Sequence, residues 1–186
     1  MYKGNYKIAA NTFGVIDLEL PWKEIAPYRK ARWKLAQCYL YFASEVNYQV
    51  NIKEPFKFSK IINELIPISN DKKGLNVPLA ILKTCMYLKT DEEGKLSKSI
   101  DDLKLCQSKY IRKGSSKRTQ IFVRMLLVLD ECNYDAKKAI LTASQWAEKL
   151  RHTQYTYPGS YEGLEVVPYE QLWEMVLGYA KKKKRR

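Results

Sequence analysis

Fifteen residues constrain this chain more than any others. KRTQIFVRMLLVLDE, from Lys117 to Glu131, has apolar side chains at Ile121, Phe122, Val123, Met125, Leu126, Leu127, Val128 and Leu129. These positions go nearly all the way round a helix, so a helix here must be covered on several sides. A single amphipathic neighbour cannot do that. The segment therefore predicts a helix sandwiched inside an array of other helices.

The rest of the chain supplies those neighbours. Apolar residues recur at the helical spacing of three, four and seven. Tyr6, Ala9, Ala10, Phe13 and Ile16 predict a helix near 4–18. Tyr28, Ala31, Leu35, Cys38, Tyr39, Phe42 and Val46 predict a long one near 23–47, with Pro27 in its first turns. Phe58, Ile61, Ile62, Leu65 and Ile66 give a helix near 56–66, ending before Pro67. Pro78 opens one near 77–90, and Leu96, Ile100, Leu103, Cys106 and Tyr110 mark another near 95–111. Asp135 can cap a helix whose stripe is Ala136, Ala139, Ile140, Ala143, Ala147 and Leu150. Pro168 opens a last helix through Tyr169, Leu172, Trp173, Val176, Leu177 and Ala180. No segment has convincing strand character, and 8 glycines and 7 prolines among 186 residues are few for an all-β fold. The expected class is all-α, about eight helices in stacked antiparallel pairs. They form one domain over 1–180, followed by a disordered basic tail at 181–186.

The pairs look repetitive. FSKIINEL (58–65) aligns with LSKSIDDL (96–103) at a shift of 38, and a further shift of 40 reaches AKKAILTA (136–143). The same shift of 40 carries Ile81, Leu82, Cys85 and Leu88 onto Ile121, Phe122, Met125 and Val128. A period near 40 suits an α-solenoid, in which a helix pair buries its face by stacking on the next. On these residues the chain resembles tetratricopeptide-type (TPR-like) repeats in a degenerate, slightly lengthened form. YKGNYKIAANTF (2–13) resembles the helix that commonly closes such a unit. The segment 82–150 and VVPYEQLWEMVL (166–177) are similar to C-terminal helical-repeat regions of uncharacterised Bacteroidetes proteins. No unit keeps the whole repeat signature. The resemblance implies a bacterial protein-interaction scaffold that binds another protein without catalysing a reaction.

The residues themselves point the same way. His152 is the sole histidine, and nothing around it forms a nucleophile elbow. The glycines are dispersed and make no phosphate loop. Adjacent acids such as Asp101–Asp102 need convergent geometry before they can act as an acid–base pair. Cys38, Cys85, Cys106 and Cys132 are far apart, each within an apolar helical pattern. They read as buried, reduced thiols, with no metal set and no cofactor expected, and they suggest the cytoplasm. No apolar run reaches eighteen residues, so no membrane contact is expected.

Charge supplies the alternative. The net charge is +13, and KKKKRR at the end (181–186) carries six of it. Two further clusters lie in the body: Arg29, Lys30, Arg32 and Lys34, and then Lys109, Arg112, Lys113, Lys117 and Arg118. Converging on one face, they could follow a phosphate backbone nonspecifically, as in a helical protein of a phage or mobile element. Scattered, they are ordinary solvated charge. Lys109, Arg112 and Lys113 suit a helix C-terminus. Lys117 and Arg118 fall at a helix N-terminus, where cations are disfavoured, which makes them the stronger candidates for an acidic partner. Tyr155, Tyr157 and Tyr161, in the long loop 152–167, are either interface anchors or a seal on the end of the stack.

Overall fold

The computed structural model describes residues 8–9, 12, 21, 23–47, 58–69, 75–109, 116–155 and 165–183. Among them there are eight helices and no strand, which is the expected class. The chain divides into two compact units, Met1–Lys72 and Lys73–Arg186.

In the first unit, Ile8, Ala9 and Thr12 are helical, and the rest of the helix expected at 4–18 lies outside the described residues. Helix α1 is Pro27–Asn47 and α2 is Phe58–Ser69. The stripe on α1 is buried as expected at Ala31, Leu35, Cys38, Tyr39 and Phe42, and α2 packs on α1. Ile62 and Leu65 supply the α2 face. An ion pair from Lys34 to Glu64 joins the two helices and holds the Glu64 carboxyl below its usual range. One boundary differs from expectation: α2 runs through Pro67 to Ser69. A proline there gives up the amide bond to the carbonyl four residues earlier, and the helix continues only two residues past it.

The second unit holds α3 (Asn76–Thr90), α4 (Glu93–Lys109), α5 (Lys117–Glu131), α6 (Ala136–Thr142), α7 (Ser144–His152) and α8 (Tyr169–Lys183). Helices α3 and α4 are antiparallel, because residue numbers rise on one as they fall on the other. Asn76 meets Cys106, Lys83 meets Asp102, and Thr84 meets Ser99. Thr84 and Ser99 are buried hydroxyls 3.2 Å apart. Each also bonds to its own helix, Thr84 to the Ala80 carbonyl at 3.0 Å and Ser99 to the Leu96 carbonyl at 2.7 Å. Burying them therefore leaves no orphaned oxygen. The reversal between α3 and α4 takes two residues, with Asp91 in the left-handed region at φ 57°.

Helix α5 is the sandwiched one. Phe122, Val123, Met125, Leu126, Leu127, Val128 and Leu129 are all buried, and α5 packs on α4, α6, α7 and α8. Ser116 caps its start by accepting from the Thr119 amide at 3.1 Å. After α5 the chain turns through Asn133 and Tyr134, both at positive φ. For a tyrosine this conformation costs about 1–2 kcal/mol. It is held by the Tyr134 hydroxyl donating to Asp130 at 2.8 Å and its amide donating to the Leu129 carbonyl at 2.9 Å.

The helix expected over 136–150 is broken at Ala143 (φ −88°, ψ 2°) into α6 and α7. Asp135 caps α6 through the amides of Lys137 and Lys138. Ala136, Ala139 and Ala143 are buried, but Ile140, expected in that stripe, is 43% exposed, and Leu141 is 76% exposed. The shift of 40 still pairs equally buried residues at Leu82, Cys85 and Leu88 against Phe122, Met125 and Val128. It fails at Ile121, which is half-buried, and at Ile140.

The last helix buries Tyr169, Leu172, Trp173, Val176, Leu177 and Ala180 as expected. It also returns to α3, the first helix of its unit, while touching α5, α6 and α7. It continues through Lys183, three residues into the run expected to be a disordered tail. Lys183 sits 2.9 Å from Asp91 and 3.2 Å from Glu93, and lies over the Tyr134 ring. Those contacts hold the end of α8 in place. Residues 184–186 lie outside the described residues.

Phe122→Ala is expected to destabilise the protein by about 3–5 kcal/mol, since a fully buried ring leaves a cavity. Leu141→Ala is expected to change stability by no more than about 0.5 kcal/mol. Urea unfolding followed by circular dichroism compares the two.

Candidate functional site

The basic residues separate into three kinds. On α1, Arg29 is exposed while Lys30 and Arg32 are half-buried. On the second unit, Lys109 ends α4 and Lys117 begins α5, both exposed. Arg112, Lys113, Tyr157 and Tyr161 lie outside the described residues, and Tyr155 is 44% exposed.

Arg118 is different in kind. It is only 7% exposed, and the acidic partner expected for it is internal. Its Nε donates to Glu165 Oε2 at 2.9 Å. Its Nη2 donates to Glu165 Oε1 at 2.8 Å and to Glu170 Oε2 at 2.7 Å. Its Nη1 donates to the carbonyls of Leu150 and Thr153, both at 2.8 Å. A guanidinium has five N–H groups, and all five are used. The hydrogen bonds from Glu165 are the main reason the guanidinium pKa is raised despite burial.

Two carboxylates against one cation would leave a surplus negative charge. The start of α8 offsets it. Glu165 Oε1 also accepts from the Tyr169 amide at 2.8 Å, and Glu170 lies in the first turn of α8, where the helix dipole favours anions. Beside this knot the Tyr169 hydroxyl lies 3.2 Å from Thr119 Oγ1, and the Tyr169 ring stacks on Phe122 at 4.4 Å and 6°. Burial drives the Tyr169 hydroxyl pKa up. Arg118 is therefore a structural clamp joining α5, α7 and α8, and is not available to an outside anion.

Other chemistry is sparse. The His152 side chain is 80% exposed, with Glu148 4.0 Å away. Among the described residues no group of His, Cys, Asp and Glu could hold a metal ion. All four cysteines are free and buried, and burial pushes the Cys38 thiol up to about 12 and Cys106 to about 11. Thiols held this far above neutral pH are protonated and poor nucleophiles. Among the described residues no helix is long and apolar enough to cross a membrane.

What remains is a surface groove of about 460 Å³ between α4, α5 and α7. Helix α4 contributes Lys104, Gln107 and Ser108, and α5 contributes Gln120, Ile121 and Arg124. Trp146 of α7 forms the third wall, and Lys149 lies 4.6 Å over its ring. Lys117, Gln120, Ile121 and Arg124 follow the 0, 3, 4, 7 spacing, so Lys117 extends the same face of α5. The acids nearby are exposed partners at the rim. Glu131 accepts from Arg124 at 2.8 and 3.3 Å, and Asp101 and Asp130 stand 3.9 and 3.7 Å from Lys104. Exposed pairs of this kind contribute about 0–1 kcal/mol and exchange readily.

Sequence reasoning did not single out Lys104, Gln107, Gln120, Arg124 and Trp146 as a set. The spacing on each helix was visible, but the meeting of three helices was not. Nor were Glu165 and Glu170 singled out as partners of Arg118. The unfavourable place of Arg118 at a helix N-terminus pointed to an acidic partner, expected outside the chain and found within it at Glu165 and Glu170.

Comparisons with protein-family models, with curated proteins and with solved structures found no match.

Arg118→Lys is expected to destabilise the fold by about 3–5 kcal/mol, because an ammonium cannot reach five acceptors and leaves buried acceptors unpaired. Thermal unfolding of the two proteins checks this. Burial lowers the Lys89 pKa to about 8. Between about pH 8 and 10.5 the unfolded chain then holds more protons at Lys89 than the folded one, so its burial penalty fades as pH rises. The stability gained by Lys89→Met over wild type should therefore shrink across that window in denaturant titrations.

Proposed function

We propose that this chain is a non-enzymatic, TPR-like interaction scaffold whose partner is another protein. What supports the reading is the outward face of α6. That helix buries Ala136 and Ala139 against its own unit while leaving Ile140 and Leu141 in solvent. Adjacent branched apolar side chains held on a rigid helix make a docking point of low ordering cost. The packed helix pairs supply the rigidity, with Arg118 at one end of α8 and Lys183 at the other. An extended or helical segment of the partner would lie across α6. No cofactor enters this reading. The four free, buried thiols favour a cytoplasmic setting, and the resemblance to helical-repeat regions of Bacteroidetes proteins favours a bacterial origin.

The test places a photo-crosslinking residue at Lys138 in the full chain and identifies the captured protein from the source cells. With that protein purified, Leu141→Lys should weaken binding by about 30-fold or more, the size expected at an interface anchor. The variant's unfolding temperature should stay within a few degrees of wild type. Equal binding by wild type and Leu141→Lys would remove α6 as the contact.

A further inference from the structure

We infer that the groove between α4, α5 and α7 holds one base–phosphate unit of a single-stranded nucleic acid. The protein-docking face on α6 uses other residues, so this inference does not rest on it. Three kinds of group meet in the groove. Trp146 offers a stacking ring, and Lys149 adds a cation over that ring at 4.6 Å. Gln107 offers a carboxamide with donors and an acceptor, which matches the edge of an unpaired base, and Gln120 also lines the groove. Lys104 and Arg124 offer charge for a phosphate.

The size fits a single unit. About 460 Å³ lies within the range of sites for small organic groups, and a duplex could not enter it. A base must be unstacked to reach Trp146, which selects single strands. The exposed Lys109 and Lys117, at the facing ends of α4 and α5, can follow the backbone beyond the groove. Asp101 and Glu131 are exposed and Asp130 is half-buried, and the Lys104 and Arg124 ends of these pairs reach solvent, so a phosphate can compete for them. Arg118, with every donor locked internally, shows what a non-exchangeable arginine looks like in the same unit. An acidic peptide would satisfy the cations but make less use of the ring and the Gln107 carboxamide.

The experiment is fluorescence anisotropy on the full chain between 50 and 300 mM salt. The probes are a labelled oligouridylate 12-mer, a duplex of equal length, uridine monophosphate as competitor, and an oligoglutamate peptide. The 12-mer should bind more tightly than the duplex, and the mononucleotide should compete only weakly. Trp146→Ala should weaken the 12-mer by about ten- to hundred-fold with an unchanged salt slope, since no charge is removed. Arg124→Gln should reduce the slope of log affinity against log salt by about 0.7. Trp146→Phe should retain most of the binding, and Trp146→Leu, which has no ring to stack on, replaces the alanine variant if that one unfolds. Unchanged binding by both Arg124→Gln and the ring-less Trp146 variant would assign any affinity to the C-terminal lysines and overturn the inference. So would preference for duplex, for oligoglutamate, or equal affinity for the mononucleotide. None of these outcomes bears on Leu141, so the two proposals fail separately.

Discussion

The second unit depends on one buried guanidinium. Arg118 uses all five of its donors on acceptors from the end of α7, the stretch before α8 and the first turn of α8. Taking a cation and two carboxylates out of water is costly, and the geometry must repay it. Here it does so with short, charge-assisted bonds and with the helix start of α8 facing the second carboxylate. The consequence is positional. The long connection after α7 is tied back onto α5, so α8 has to begin beside Thr119 and Phe122.

From that start, α8 runs to the opposite end of the unit, where Lys183 joins Asp91, Glu93 and Tyr134. Between the two clamps its apolar face covers α3 and α5. With α5 packed on by α4, α6, α7 and α8, the exposed Gln120 and the half-buried Ile121 and Arg124 form a strip of its middle that stays at the surface. The groove is thus a by-product of how α4 and α7 flank α5. Its chemistry follows from which side chains the sequence places on that strip.

Most of the helices could be read from apolar spacing alone. The bounds of α5 match Lys117–Glu131, and Ser116 and Asp135 cap the helices they precede. The misreadings have local physical causes. Pro67 of α2 does not stop the helix, which ends two residues later, at Ser69. Ala143 divides a run that has no proline or glycine to announce the break. Ile140 has the type and spacing of a core residue, yet it is 43% exposed while Ala136 and Ala139 of the same helix are buried. Tertiary contacts with Asp91 and Glu93, far back in the chain, keep Lys183 helical.

Periodicity and composition by themselves determined the all-helical class and a central helix whose apolar positions need neighbours on several sides. Those are properties of single helices, and spacing at three and four residues encodes them directly. Which cations are committed and which are free was decided only by the tertiary structure. Lys117 and Arg118 are neighbours with the same charge, yet one is exposed on the groove face of α5 and the other is locked between Glu165 and Glu170. Adjacent residues on a helix point about 100° apart, so one faces the core while the next faces water. What each one meets there depends on segments more than forty residues away.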